Sequence, residues 1–87
     1  MQKQHLGTIT IMVTNRQVNS EKLNKALSEN GHIILTRLGV NIEPRCVSNC
    51  SGLITIVVKG SLKQINDLTK ILNKLYGIVA KSCVITK

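Results

Sequence analysis

From Leu6 to Thr14 the chain alternates: Ile9, Ile11 and Val13 share one side, and Thr8, Thr10, Met12 and Thr14 the other. Period-two alternation of β-branched residues predicts a strand, and the polar run Asn15 to Asn19 reads as a connection. The period then lengthens. Leu23, Ala26 and Leu27 recur at helical spacing behind Ser20, an N-cap type, with Glu21 in the first turn. Asn30-Gly31 closes this first helix, Gly31 being suited to a left-handed C′ position, and Glu21, Lys25 and Glu29 form an i, i+4 ladder on its solvent side. Ile33 to Val40 is a second run of strand length, Asn41 to Asn49 a loop containing Pro44, and Leu53 to Lys59 a third strand with Ile54, Ile56 and Val58 facing one way. Gly60 ends it. Ser61 with Gln64 three residues on makes a capping box. Leu62, Ile65, Leu68, Leu72 and Leu75 then mark one face of a second helix, and Lys63, Asp67, Lys70 and Lys74 the other. Gly77 stops that helix, and Ile78 to Thr86 is a fourth strand.

The order β-α-β-β-α-β with right-handed crossovers gives a four-stranded antiparallel sheet with both helices on one face, an α+β ferredoxin-like sandwich forming a single domain over residues 1–87. Strands one and three are then central. The face turned away from the helices carries Thr8, Thr10, Met12, Leu53, Thr55 and Val57, a semi-apolar surface suited to an interface. No repeat, linker or low-complexity segment interrupts the plan.

Composition sharpens this picture. Hydrophobic residues make up 43% of the 87, enough for a packed domain, yet Tyr76 is the single aromatic, so the core must be aliphatic. A chain this short is marginally stable alone, and self-association would bury further apolar area. The net charge of +8 is concentrated late: from Lys59 to Lys87 there are six lysines and one acid, Asp67. Excess positive charge favours anionic partners, nucleic acid among them, through the Lys63, Lys70 and Lys74 face; the plainer reading is a solvated lysine surface. No stretch approaches the length of a membrane span, and Met-Gln-Lys-Gln-His leads straight into the first strand, so a cytoplasmic location without membrane contact is expected. Cysteines there are expected to be reduced, or used for metal or redox chemistry.

Three cysteines are present. Cys46 and Cys50 form a C-x3-C in the loop between strands two and three, and Cys83 lies in the last strand. Zinc or an iron–sulfur centre needs three or four converging soft ligands, and one chain offers two nearby thiols, Cys46 and Cys50, a distant one, Cys83, and His5 and His32, a set incomplete unless an oligomer brings two loops together. Three readings stand together: small inert cysteines, metal ligands, or a redox pair. Cys83, in a strand, reads as a packed thiol. No cofactor is required. Arg37, in an apolar strand, and Arg45 are candidates for anion binding or an intersubunit contact; the plainer reading of Arg37 is a side chain snorkelling off the sheet. With four acids and two scattered histidines, no catalytic set or glycine-rich phosphate loop is visible, and an enzyme is not expected. RNA-recognition sheets stack bases on exposed aromatics, which these central strands lack.

Several short motifs in this order resemble one family. They are Val13-Thr14-Asn15-Arg16, Glu21-Lys22-Leu23-Asn24 with Leu27, Gly31-His32-Ile33-Ile34, Arg37-Leu38-Gly39-Val40, Val57-Val58-Lys59-Gly60, Leu68-Thr69 with Leu72, and Gly77-Ile78-Val79-Ala80-Lys81-Ser82. Over about residues 6–87 the chain resembles regulators of the iron-only hydrogenase system, relatives of ACT domains and of the ligand-binding domain of nickel-responsive repressors. The resemblance implies an ACT-like form of the fold, oligomers built through the sheet and a regulatory role, with no ligand specified. Three features depart from the family pattern: the longer loop from Asn41 to Ser51 holding the cysteine pair, Lys70 and Asn73 where helix-two glycines are usual, and Tyr76 where proline is common. The expectation is a non-enzymatic oligomeric regulatory domain sensing a small ligand or metal at a subunit interface. The alternative is a zinc or iron–sulfur carrier using the C-x3-C loop.

Overall fold

Alternation places the β-branched residues where the first strand needs them, and the computed structural model, which describes residues 3–42, 45–48 and 50–86, forms β1 over His5–Val13. It continues as α1 (Arg16–Glu29), a 3-10 turn (Gly31–Ile33), β2 (Ile34–Asn41), β3 (Gly52–Gly60), α2 (Leu62–Asn73) and β4 (Ile78–Val84). Met1, Gln2 and Pro44, which the sequence reading places at the start and in the β2–β3 loop, lie outside the described residues, as does Asn49 at the loop's end. The sheet runs β2-β3-β1-β4 with every neighbouring pair antiparallel, the ferredoxin-like arrangement with β1 and β3 central.

Register sorts the faces. Ile9 opposite Ile56 and Ile11 opposite Ile54 and Ala80 point to the helices; Thr8 opposite Val57 and Cys83, and Met12 opposite Leu53 and Val79, point away. The core is aliphatic throughout: Ile9, Ile11, Val13, Ile56, Val58, Ile78 and Ala80 from the sheet meet Leu23, Ala26 and Leu27 of α1 and Ile65, Leu68 and Leu72 of α2. Tyr76 stays outside it, 83% exposed. Edge strand β2 is exposed along nearly its whole length, with Leu35, Leu38 and Val40 uncovered.

The α2 capping box forms as expected: Gln64 N–H donates to Ser61 Oγ (3.1 Å) and Ser61 N–H to Gln64 Oε1 (2.8 Å). At the end of α2, Asn73 grips β4 at two points, donating to Ala80 O (2.9 Å) and accepting from Ala80 N–H (2.7 Å). Helix α1 differs from expectation in where it starts and in how it is capped, while closing at Asn30 as expected. It starts at Arg16, not after Ser20, because Asn15 adopts a left-handed conformation (φ 45°) that asparagine tolerates, and its carbonyl accepts from Val18 (3.0 Å) and Asn19 (3.1 Å). It ends at Asn30, whose φ is −115° and whose side chain donates to Ala26 O (2.8 Å). Among the described residues positive φ occurs at Asn15 and Gly77, so Gly31 is not a left-handed cap and leads instead into the 3-10 turn. The Glu21, Lys25 and Glu29 ladder is not closed by ion pairs; the salt bridge among the described residues is Lys63–Asp67 on α2.

Candidate functional site

The β1–α1 junction sets the geometry of one end of the sheet. Asn19 is 2% exposed and donates from Nδ2 to Thr14 O (2.6 Å), pinning the first turn of α1 to the end of β1. Thr14 in turn donates from its N–H (2.9 Å) and its hydroxyl (3.0 Å) to Gly77 O. With the helix starting here, Arg16 and Ser20 are one turn apart on the same face. Opposite them, Arg37 and Gly39 alternate along β2 on the helix side, in register with Ile56 and Ile54.

Arg16, Ser20, Arg37 and Gly39, with Val13 and Ile54 among the walls, line a cavity of about 430 Å³. Two glycines leave it open. A Cβ at Gly52 would sit 3.5 Å from Arg16 Cδ, and one at Gly39 would meet only Ile54 Cγ1 at 3.9 Å. Arg16 is half-buried, and its backbone N–H donates to Cys50 O at 2.7 Å; Arg37 is exposed and donates from Nη2 to Asn24 Oδ1 at 3.2 Å. The described lining carries two guanidinium groups, a hydroxyl and the Asn41 carboxamide, and no carboxylate. Planar, permanently charged forks of this kind match carboxylate or phosphate oxygens. Of the two arginines singled out in the sequence, Arg37 reaches this cavity, whereas Arg45 is exposed on the loop and does not line it. Arg16 and Ser20 were not singled out as site residues. The signal for them was the i, i+4 spacing, visible only once the helix is started at Asn15.

The three cysteines are not brought together, which corrects the metal set drawn from the sequence. Cys46 and Cys50 are joined in a disulfide, their Cα atoms 5.7 Å apart, so in this state neither offers a thiolate. Cys50 is 1% exposed; its N–H donates to Gln17 Oε1 (3.2 Å) and its Sγ accepts from Gln17 Nε2 (3.4 Å). Cys83 is not packed, as its strand position suggested, but exposed on the open face opposite Thr8. That is five residues from the cavity end of β1, roughly 16 Å at the strand rise. His5 is buried with Nδ1 3.3 Å from Thr86 O at the far end of β1, and His32 is exposed in the 3-10 turn. Among the described residues no group of three His, Cys, Asp or Glu is placed to hold a metal.

On α2, Lys63 Nζ donates to Asp67 Oδ2 at 2.7 Å. This hydrogen bond holds the Asp67 carboxyl below the usual carboxylate range and raises the Lys63 ammonium. Lys70 and Lys74 are exposed. No helix among the described residues is long and apolar enough to cross a membrane.

Comparison with known proteins follows the same lines. A structure of an uncharacterised protein, TM1266 from Thermotoga maritima, superposes with a TM-score of 0.85 at 21% identity, covering 97% of this chain and 100% of that one. A nitrogen regulatory PII-like protein from Thiomonas intermedia K12, solved with ADP, AMP and bicarbonate, superposes at a TM-score of 0.54 and 12% identity over 100% of this chain and 94% of that one. At these identities the likeness is one of fold. No curated protein matches the sequence. The model of the TM1266-like family, described as candidate iron-only hydrogenase system regulators, matches residues 5–82, and the chain belongs to that family.

Proposed function

We propose that this chain is a non-enzymatic, oligomeric regulatory domain of the hydrogenase system, acting in the cytoplasm and sensing a small anionic ligand in the Arg16–Arg37 cavity. The observation that carries the reading is two arginines from separate elements lining one cavity with no carboxylate in its described lining. Such a lining attracts an anion and offers no group to accept a proton from it, which suits binding rather than turnover. Family membership supports the regulatory role. Self-association is supported by the open sheet face, where Leu38 is 66% and Val79 52% exposed, and by the uncovered β2 edge, whose free backbone groups are a template for pairing. The cavity lies against that same edge, so a second copy there would border the ligand.

Calorimetric titration with inorganic phosphate and with succinate tests the ligand reading. Each charge-assisted hydrogen bond contributes about 1.5–3 kcal/mol, so Arg16→Ala and Arg37→Ala should each weaken binding about 10- to 100-fold. Unchanged affinity in both variants overturns it. Light scattering at micromolar concentration tests assembly: a mass at least twice the 9.6 kDa of the chain is expected, and a monomer overturns that part.

A further inference from the structure

The two sulfurs of the C-x3-C loop are inequivalent. Cys46 is half-buried, whereas Cys50 is 1% exposed and held by three contacts to the first turn of α1: its carbonyl accepts the Arg16 N–H, its N–H donates to Gln17 Oε1, and its Sγ accepts from Gln17 Nε2. Cys46 has Arg45 beside it in sequence, and its Sγ lies 3.0 Å from Ser48 O. The loop carrying this pair is joined to the cavity wall at Gly52.

From this asymmetry we infer that Cys46–Cys50 is a site of reversible thiol–disulfide exchange with a dithiol reductant, with Cys46 the attacked sulfur and Cys50 the leaving one. A reductant thiolate attacks Cys46 Sγ in line with the disulfide bond. A sulfur–sulfur bond forms between reductant and Cys46, the Cys46–Cys50 bond breaks, and the electron pair stays on Cys50 Sγ, where Gln17 Nε2 already donates. Exchange is faster the better the leaving thiolate is stabilised, and it requires access to the sulfur attacked. The reductant's second thiol, losing its proton, then attacks its own sulfur in the mixed disulfide and releases Cys46. Cys46 and Cys50 each end with one proton, the reductant ends as its disulfide, and two electrons have passed to the protein. Ser48 O is placed to accept a hydrogen bond from the reduced Cys46 thiol. Because the Cys50 carbonyl holds the Arg16 N–H, the redox state of the loop and the position of a cavity arginine share one anchor. The exchange site goes beyond the ligand reading and does not depend on it.

The test uses the full chain and glutathione. Reduced protein is exposed to oxidised glutathione, the reaction is quenched with acid at intervals, and adducts are mapped by peptide mass spectrometry. The expected result is a transient glutathione adduct on Cys46 that gives way to the Cys46–Cys50 disulfide. With the exposed Cys83 replaced by serine throughout, Cys50→Ser and Cys50→Ala should retain the Cys46 adduct, and Cys46→Ser should react about tenfold more slowly or less, since its remaining thiol, Cys50, is shielded. Gln17→Ala should slow reduction of the oxidised protein by dithiothreitol while leaving Cys46 the mapped site. An adduct formed first on Cys50, equal rates of adduct formation at Cys50 in the Cys46 variant and at Cys46 in the Cys50 variants, or failure of the reduced wild type to close the disulfide overturns the inference. None of these readouts involves anion affinity, so the two readings fail separately.

Discussion

Replacing Gly77 by alanine attacks the brace that sets the start of α1, and through it the cavity. Gly77 has φ +76°, and an added Cβ would collide with the Asn19 carboxamide and stand 2.9 Å from Thr14 Oγ1. The left-handed backbone costs a non-glycine residue about 1–2 kcal/mol. Pushing the buried Asn19 aside costs about 1–2 kcal/mol more, through crowding and through its bond to Thr14 O. Together these give about 2–4 kcal/mol, a large share of the total stability of a domain this size. At about 4–8 °C per kcal/mol, a fall in Tm of at least about 8 °C is expected in thermal unfolding followed by circular dichroism. The collision component is separable. In an Asn19→Ala background the carboxamide is gone, so Gly77→Ala should cost about 1 kcal/mol less there than in the wild type, the non-additivity expected of touching residues. A Tm within about 2 °C of wild type would refute the reasoning on backbone strain. Full additivity in the cycle would refute the contact with Asn19.

What could be read from the sequence was whatever is decided locally. The α2 start depends on Ser61 and Gln64, two residues three positions apart that satisfy one another wherever the helix goes, and it forms as written. The strand faces follow from strict alternation, which is why Ile9, Ile11, Ile56 and Val58 are all in the core. The α1 start was hidden because its first turn inverts the usual pattern: apolar Val18 is 63% exposed and polar Asn19 is 2% exposed. Periodicity is silent over such a turn, and Asn19 is buried for a contact made with the chain end of β1. The same inversion keeps Arg16, which stands in one of the family-like motifs, from reading as a site residue. The cysteine pair could not be resolved either, since the partners that distinguish Cys50 from Cys46 are Arg16 and Gln17, more than thirty positions away and adjacent only after the sheet has formed. The exposure of Cys83 is not legible either, because strand position alone does not say whether the open face is covered.

Ser61→Ala removes the hydroxyl that accepts the Gln64 N–H, and should cost about 1 kcal/mol and lower Tm by about 4–8 °C without altering anion affinity; no change would mean the capping box contributes nothing. The Asp67 carboxyl, lowered by its hydrogen bond from Lys63, contributes stability that is present above its unfolded pKa and lost as pH falls through the lower folded value. The pair is exposed, so the loss should be slight, suppressed by salt and absent in Asp67→Asn; an acid-limb dependence unchanged in that variant would assign it elsewhere. Gly39→Val separates the cavity from the fold that carries it. Its Cβ meets only Ile54 at ordinary contact distance, and valine suits an extended backbone better than glycine, so Tm should hold or rise. Because Gly39 lines the cavity with Arg16 and Arg37, the added branches should take up room for a ligand there while both guanidinium groups are retained. Phosphate or succinate affinity should therefore fall about tenfold or more, the effect of losing about 1.4 kcal/mol of contact. Wild-type affinity in a well-folded Gly39→Val protein would show that the anion is bound somewhere other than this cavity.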